Sequence, residues 1–289
     1  MKLDGIIPAI VTPFDKAGDV NYAELKRLVE LLLEEGADGF YVTGSTGECF
    51  LLTDEERTRV VAAVAEAANG KVPVIAHVGK IGAAQAAHLA KEARKAGASA
   101  VSSVPPFYYN FQTEEIAGYY GVISDAADLP VVIYNIPQYS GVSINADNME
   151  EIMGQSRIEG LKYTDLNLYE LGRIRRKFPD IKIMFGKDES LLYALSVGVD
   201  GAIGSTYNFM LKMFKRIWNA YREGRFQEAE KLQHKASSLI SEMLRVKNII
   251  AAEKYLLGKK GIDCGICRAP FRPLREEEKR ILDGIGDVD

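Results

Sequence analysis

The stretch NYAELKRLVELLLEEGADGFYVTG, residues 21–44, decides how the chain folds. Its first part, 21–36, places apolar residues at helical spacing and closes on Gly36. Its second part, GFYVTG (39–44), is a short apolar run bounded by glycines. A helical period followed by a continuous apolar run reads as a covering helix and a strand buried on both faces. The unit recurs. Eight runs of the second kind occur: IIPAIVT (6–12), GFYVTG (39–44), VPVIAHVG (72–79), AVSSVPP (100–106), LPVVIYNIP (129–137), IEGLKYT (158–164), IKIMFG (181–186) and GAIGST (201–206). Their starts lie 20 to 33 residues apart, about the length of one βα unit. Between the second and third, TDEERTRVVAAVAEAANG (53–70) predicts a helix opened by a Thr53/Glu56 capping box and closed near Gly70. Eight parallel strands covered by helices predict an α/β fold closed into a (β/α)8 TIM barrel. The alternative, a doubly wound sheet, lacks its Gly-rich G-x-G-x-x-G turn after the first run.

Beyond the eighth run the pattern changes. Residues 209–257 are almost wholly helical in period with one break at GRF (224–226), and a last short helix is expected near 275–285. The expected organisation is a barrel over 1–208 and a helical C-terminal extension over 209–289, packed together as one unit because no flexible linker separates them.

Composition narrows the function. With 289 residues, a net charge of −4 and acidic and basic residues interspersed, the chain has no basic footprint for nucleic acid. MKLDGIIPAIVTPFD is too short in apolar residues for a signal-peptide core and no later run spans a membrane, so a soluble, cytoplasmic protein is expected. Three cysteines, Cys49, Cys264 and Cys267, cannot staple a chain of this size. Cys264-Gly-Ile-Cys267 is a lone C-x-x-C, and His77, His88 and His234 are not at zinc-motif spacing, so no metal is expected. HVGKIG (77–82) lacks the spacing of a nucleotide loop, and FMLKMFKRIW (209–218) reads as packing.

In such a barrel the chemistry gathers at the C-terminal ends of the strands. There the sequence places GSTGE (44–48), PPFYYN (105–110), YNIP (134–137), LKYT (161–164), GKDE (186–189) and GSTYN (204–208). Lys162 stands inside a run that otherwise reads as a buried strand. Alternation puts Lys162 and Thr164 on one face and Leu161 and Tyr163 on the other; if the Leu161 face meets the helices, Lys162 points into the barrel. A desolvated ammonium there has a lowered pKa and suits Schiff-base chemistry. The competing reading is a structural pair with a carboxylate such as Asp188. Tyr134 at the rim suits a general acid or base or simple packing, GSTGE a carboxylate cradle or a tight turn, and Asp188 and Glu189 sugar hydroxyls or a helix cap.

Together, GSTGE, YNIP and the lysine of GLKYT resemble the pyruvate-dependent class I aldolases, the family of N-acetylneuraminate lyase and dihydrodipicolinate synthase. The resemblance runs from GIIPAIVTPF (5–14) to CRAPFRPL (267–274). Within the family, IAHVG (75–79), PFYYNF (106–111), GKDE and GAIGSTYN (201–208) resemble the lyase. The synthase's arginine after its YN-x-P proline is absent, since Gln138 and Tyr139 follow Pro137. Lys187 departs from the pattern, in a place where an aromatic or neutral residue is expected. The resemblance implies Lys162 as Schiff-base nucleophile, Tyr134 as the proton acceptor, and Thr46 and Tyr109 as relays, Tyr109 from a neighbouring subunit of a homotetramer. It implies Ser45 and Thr46 on the substrate carboxylate, and Thr164, Gly186, Asp188, Glu189 and Ser205 on the polyol. It implies a keto sugar acid as substrate, pyruvate as product and no cofactor beyond the covalent imine. The other expectations are a synthase or another 2-keto-3-deoxy sugar acid aldolase or dehydratase using the same lysine, and a non-catalytic sugar-acid binding protein.

Overall fold

The computed structural model describes residues 3–154 and 156–285. Eight strands follow the predicted runs: β1 (Gly5–Pro8), β2 (Phe40–Val42), β3 (Val74–His77), β4 (Ala100–Ser103), β5 (Val131–Asn135), β6 (Ile158–Tyr163), β7 (Lys182–Phe185) and β8 (Gly201–Gly204). All pair in parallel, in the order β1-β8-β7-β6-β5-β4-β3-β2, and a bridge from Ala9 to Tyr41 joins the ends into a barrel. The fold is a (β/α)8 barrel.

Local sequence explains the elements. The helix Tyr22–Glu34 starts at Asn21, whose side chain accepts from the Glu24 backbone N–H. The Thr53/Glu56 capping box is formed, opening the helix Asp54–Ala68. Gly36 and Gly70 stand one residue past their C-caps at φ +90° and +70°. That left-handed conformation is what glycine permits at a helix end. Between the last two strands stands the short helix Leu191–Leu195.

Two cores result. One lies between strands and helices and holds Leu161 and Tyr163 of β6. The other fills the barrel with Leu3, Ile7, Ile75, Ala100, Val132, Met184 and Ile203, topped by Tyr41 and Tyr134. The strands therefore present apolar side chains to both faces, which is why they read as continuous apolar runs.

The helix Tyr207–Arg222 follows β8 and packs against β1. Its Phe209, Met210, Met213, Phe214 and Ile217 are buried, so the aromatic and methionine stripe is packing. Three further helices follow, Phe226–Leu244, Ile249–Lys259 and Glu276–Asp283. A second break at 245–248 separates the first two, where Asn248 caps the new helix by accepting from the Ala251 N–H. The period of the sequence ran through that break because apolar residues flank it on both sides.

Candidate active site

The barrel interior is apolar at one end and polar at the other, and Lys162 stands where the two meet. It is 5% exposed, and β6 pairs it with Tyr134 of β5 and Met184 of β7. Its ammonium lies 4.0 Å from the centre of the Tyr134 ring and 4.2 Å from that of Tyr41. The Leu161 face meets the helices, so Lys162 does point inward, as strand alternation predicts. The pairing with Asp188 is not formed. Asp188 Oδ2 instead accepts from the Thr206 N–H at 2.9 Å and from its hydroxyl at 2.7 Å, while Oδ1 has no partner.

Burial sets the protonation states. It lowers the Lys162 pKa to about 7, against a smaller upward pull from Asp188, so a neutral amine is accessible near neutral pH. Burial raises Asp188 to about 6 and Tyr134 to about 12, the latter opposed by the Ser45 and Thr164 hydroxyls beside it. A lysine at the edge of deprotonation and a phenol that stays protonated are suited to nucleophilic attack and proton relay.

Ser45, Thr46, Tyr134, Lys162, Thr164, Gly186, Asp188, Glu189 and Ser205 all line one cleft of about 250 Å³. Two glycines make the close approaches there possible. A Cβ at Gly186 would collide with Thr164 Oγ1, and one at Gly204 with the Asp188 carboxylate. Lys187 also lines the cleft, but its ammonium reaches Gln138 Oε1 at 3.5 Å rather than its acidic neighbours. Tyr109 is the exception among the predicted residues: it is 62% exposed and lies outside the cleft, packed edge-on to Tyr108 and Phe111. A larger groove of about 740 Å³ beside Phe14, Asp15 and Arg268 contains none of the predicted residues. Chemistry, not volume, picks the smaller one.

Several residues that hold the site were given no supporting role by the sequence reading. His77 is buried, with Nδ1 3.1 Å from the Thr43 carbonyl and Nε2 3.3 Å from the Val104 N–H, and burial holds its pKa well below the usual imidazole value. A neutral ring donating from Nδ1 and accepting at Nε2 satisfies both contacts. The Thr43 hydroxyl lies 2.7 Å from the Val42 carbonyl and 3.0 Å from the His77 carbonyl, and this β-branched residue stands at φ 52°, just ahead of Ser45. Arg57, also buried, donates to the carbonyls of His77 and Gly79. Glu48 pairs with Lys254 at 2.6 Å, both wholly buried, and accepts from the Arg268 N–H, tying the GSTGE turn to the C-terminal helices. The signal for Lys254 was present as a charged pair inside the apolar stretch IIAAEKYLLG (249–258).

No group of three His, Cys, Asp or Glu side chains placed to hold a metal ion occurs among the described residues. Cys264 and Cys267 are buried free thiols, and burial pushes both up to about 12.

The Dihydrodipicolinate synthetase family matches residues 2–285 of the chain. The chain belongs to the dihydrodipicolinate synthetase family. Its members are lyases of the aldolase type that bind pyruvate as a lysine Schiff base and need no cofactor, so the chain is an enzyme of this class and not a passive binder. Among solved structures of the family, it resembles CdNal from Clostridium difficile in complex with mannosamine, at 35% identity over 99% of this chain and 98% of that one, with a TM-score of 0.95. It resembles N-acetylneuraminate lyase from Mycoplasma synoviae at 35% identity over 98% and 96%, with a TM-score of 0.90. It also resembles dihydrodipicolinate synthase from Bacillus anthracis at 28% identity over 99% and 100%, with a TM-score of 0.94. No helix among the described residues is long and apolar enough to cross a membrane.

Proposed function

We propose that this enzyme reversibly cleaves N-acetylneuraminate to N-acetylmannosamine and pyruvate through a Schiff base on Lys162. The observation that carries the reading is the buried, unpaired amine of Lys162 against the Tyr134 ring, within a cleft that also holds Asp188 and Glu189. Nζ attacks the C2 ketone of the open-chain sugar acid and water leaves, forming an iminium. Tyr134 takes the C4 hydroxyl proton and passes its own on through Thr46. The C3–C4 bonding electrons flow into the iminium, the aldehyde departs, and protonation at C3 followed by hydrolysis releases pyruvate and restores the amine. Ser45 and Thr46 hold the carboxylate. Thr164, Gly186, Asp188, Glu189 and Ser205 hold the polyol.

Tyr109, exposed in this chain, completes the relay from a neighbouring copy in a cytoplasmic homotetramer. The likeness at 35% identity to CdNal in complex with mannosamine and to an N-acetylneuraminate lyase supports the sugar end, as does Tyr139, which is 75% exposed where a synthase carries arginine. The likeness to the Bacillus anthracis synthase favours a second reading, condensation of pyruvate with aspartate semialdehyde by the same lysine.

The test is pyruvate release from N-acetylneuraminate without added metal or nucleotide, run beside Lys162→Ala. Release that vanishes in the variant is the expected result. No release by folded wild-type protein, with condensation onto aspartate semialdehyde instead, would overturn the sugar reading.

A further inference from the structure

Glu253 belongs to the helix Ile249–Lys259, whose Ile249 and Ile250 line the cleft. It follows them by four and three residues, so all three share one face of that helix. Glu253 is wholly buried, and neither of its carboxyl oxygens has a hydrogen-bond partner. Native interiors leave few such groups, and each calls for a reason. The Ser205 hydroxyl stands beside it without completing a hydrogen bond, and the Asp188 carboxylate acts on its charge; both residues line the cleft. Thr164 Oγ1, Asp188 Oδ1 and the Tyr207 hydroxyl are likewise buried without partners. Ser205 thus belongs both to the cleft and to a buried cluster with unused hydrogen-bonding capacity.

We propose that Glu253 is a positioning residue that acts through Ser205, turning its hydroxyl toward the distal hydroxyls of a keto sugar acid. The inference rests on the keto-sugar-acid reading above and deepens it. Burial pushes the Glu253 carboxyl up to about 8, so at neutral pH it is an uncharged acid with one O–H to donate. Neutrality also spares the buried space a second negative charge beside Asp188. When Glu253 donates to Ser205, the serine's own hydrogen is left to point at a substrate oxygen. An apolar side chain at this position frees Ser205 to turn elsewhere. The pyruvate half of the substrate, at Lys162, Ser45 and Thr46, is untouched.

The experiment compares Glu253→Leu and Glu253→Gln with wild type for kcat and KM on N-acetylneuraminate. Beside it, the pyruvate concentration that half-saturates borohydride trapping is measured. Glu253→Leu is expected to raise KM about tenfold, the worth of one good hydrogen bond, with trapping unchanged. Glu253→Gln keeps a donor and an acceptor and is expected to stay near wild type. Ser205→Ala combined with Glu253→Leu should be no worse than the poorer single variant, because both remove one directed hydroxyl. Unchanged KM in Glu253→Leu, additive losses in the double variant, or an equal loss of pyruvate trapping would overturn the proposal. If Glu253→Leu does not fold, Glu253→Met serves as the apolar variant. The wild-type control separates the two claims: no cleavage of a keto sugar acid removes the substrate reading and this role with it, whereas cleavage with an indifferent Glu253 removes only the role.

Discussion

Replacing Lys162 with methionine should stabilise the protein while abolishing its covalent chemistry, and the gain should depend on pH in a specific way. Burial lowers the amine from an ordinary 10.5 to about 7 in the folded chain. Between these values the folded lysine has lost its proton while the unfolded one keeps it, so stability is lost as pH falls from 10.5 through 7. At about 1.4 kcal/mol per pH unit, the ammonium costs about 5 kcal/mol at pH 6 and about 2 kcal/mol at pH 9. Methionine keeps the length and the contacts with the Tyr41 and Tyr134 rings, and the attraction between Lys162 and Asp188 is already contained in the value of about 7. The expected gain is therefore at most about 5 kcal/mol at pH 6, less whatever methionine loses in packing, and about 3 kcal/mol smaller at pH 9. Denaturant midpoints at the two pH values, with equal slopes for both proteins, measure it. A variant less stable than wild type at pH 6, or a gain that does not shrink with pH, would refute the claim that desolvation of this amine is the dominant cost. The same variant should form no borohydride-trapped adduct with pyruvate.

Three further outcomes follow from the geometry. Tyr134→Phe should lower kcat by about 10²–10⁴ with pyruvate trapping retained, since the phenol is needed for proton transfer and not for forming the imine; equal loss of trapping would argue for a packing role. Lys254→Met leaves Glu48 buried without its 2.6 Å partner and should cost about 3–5 kcal/mol, read from urea midpoints at constant protein concentration; an unchanged midpoint would mean that Glu48 is satisfied by Arg268 alone. Tyr109→Phe should lower turnover more than it weakens pyruvate binding, and mixing it with Lys162→Ala subunits should restore some activity if Tyr109 serves a neighbouring site; no restoration in confirmed mixed oligomers would place its role within its own chain.

The barrel was legible because its determinants are local. Apolar runs at βα spacing, the Thr53/Glu56 box and the glycines past helix ends each act within a few residues, and eight repetitions leave one economical closure. The inward face of Lys162 was legible for a similar reason, since strand alternation requires only that Leu161 meet the helices. Tertiary structure alone decided the rest. Whether Lys162 pairs with Asp188 depends on where Thr206, eighteen residues further on, places its two donors. The buried Glu48–Lys254 pair spans 206 residues, and a C-terminal helix brings Ile249 and Ile250 to the cleft wall and buries Glu253 behind it. Periodicity carries no information about such meetings: it says which face a side chain takes, not which distant side chain lies opposite. The energies that shift these pKa values arise from desolvation and long-range charge, so they exist only once the chain has closed.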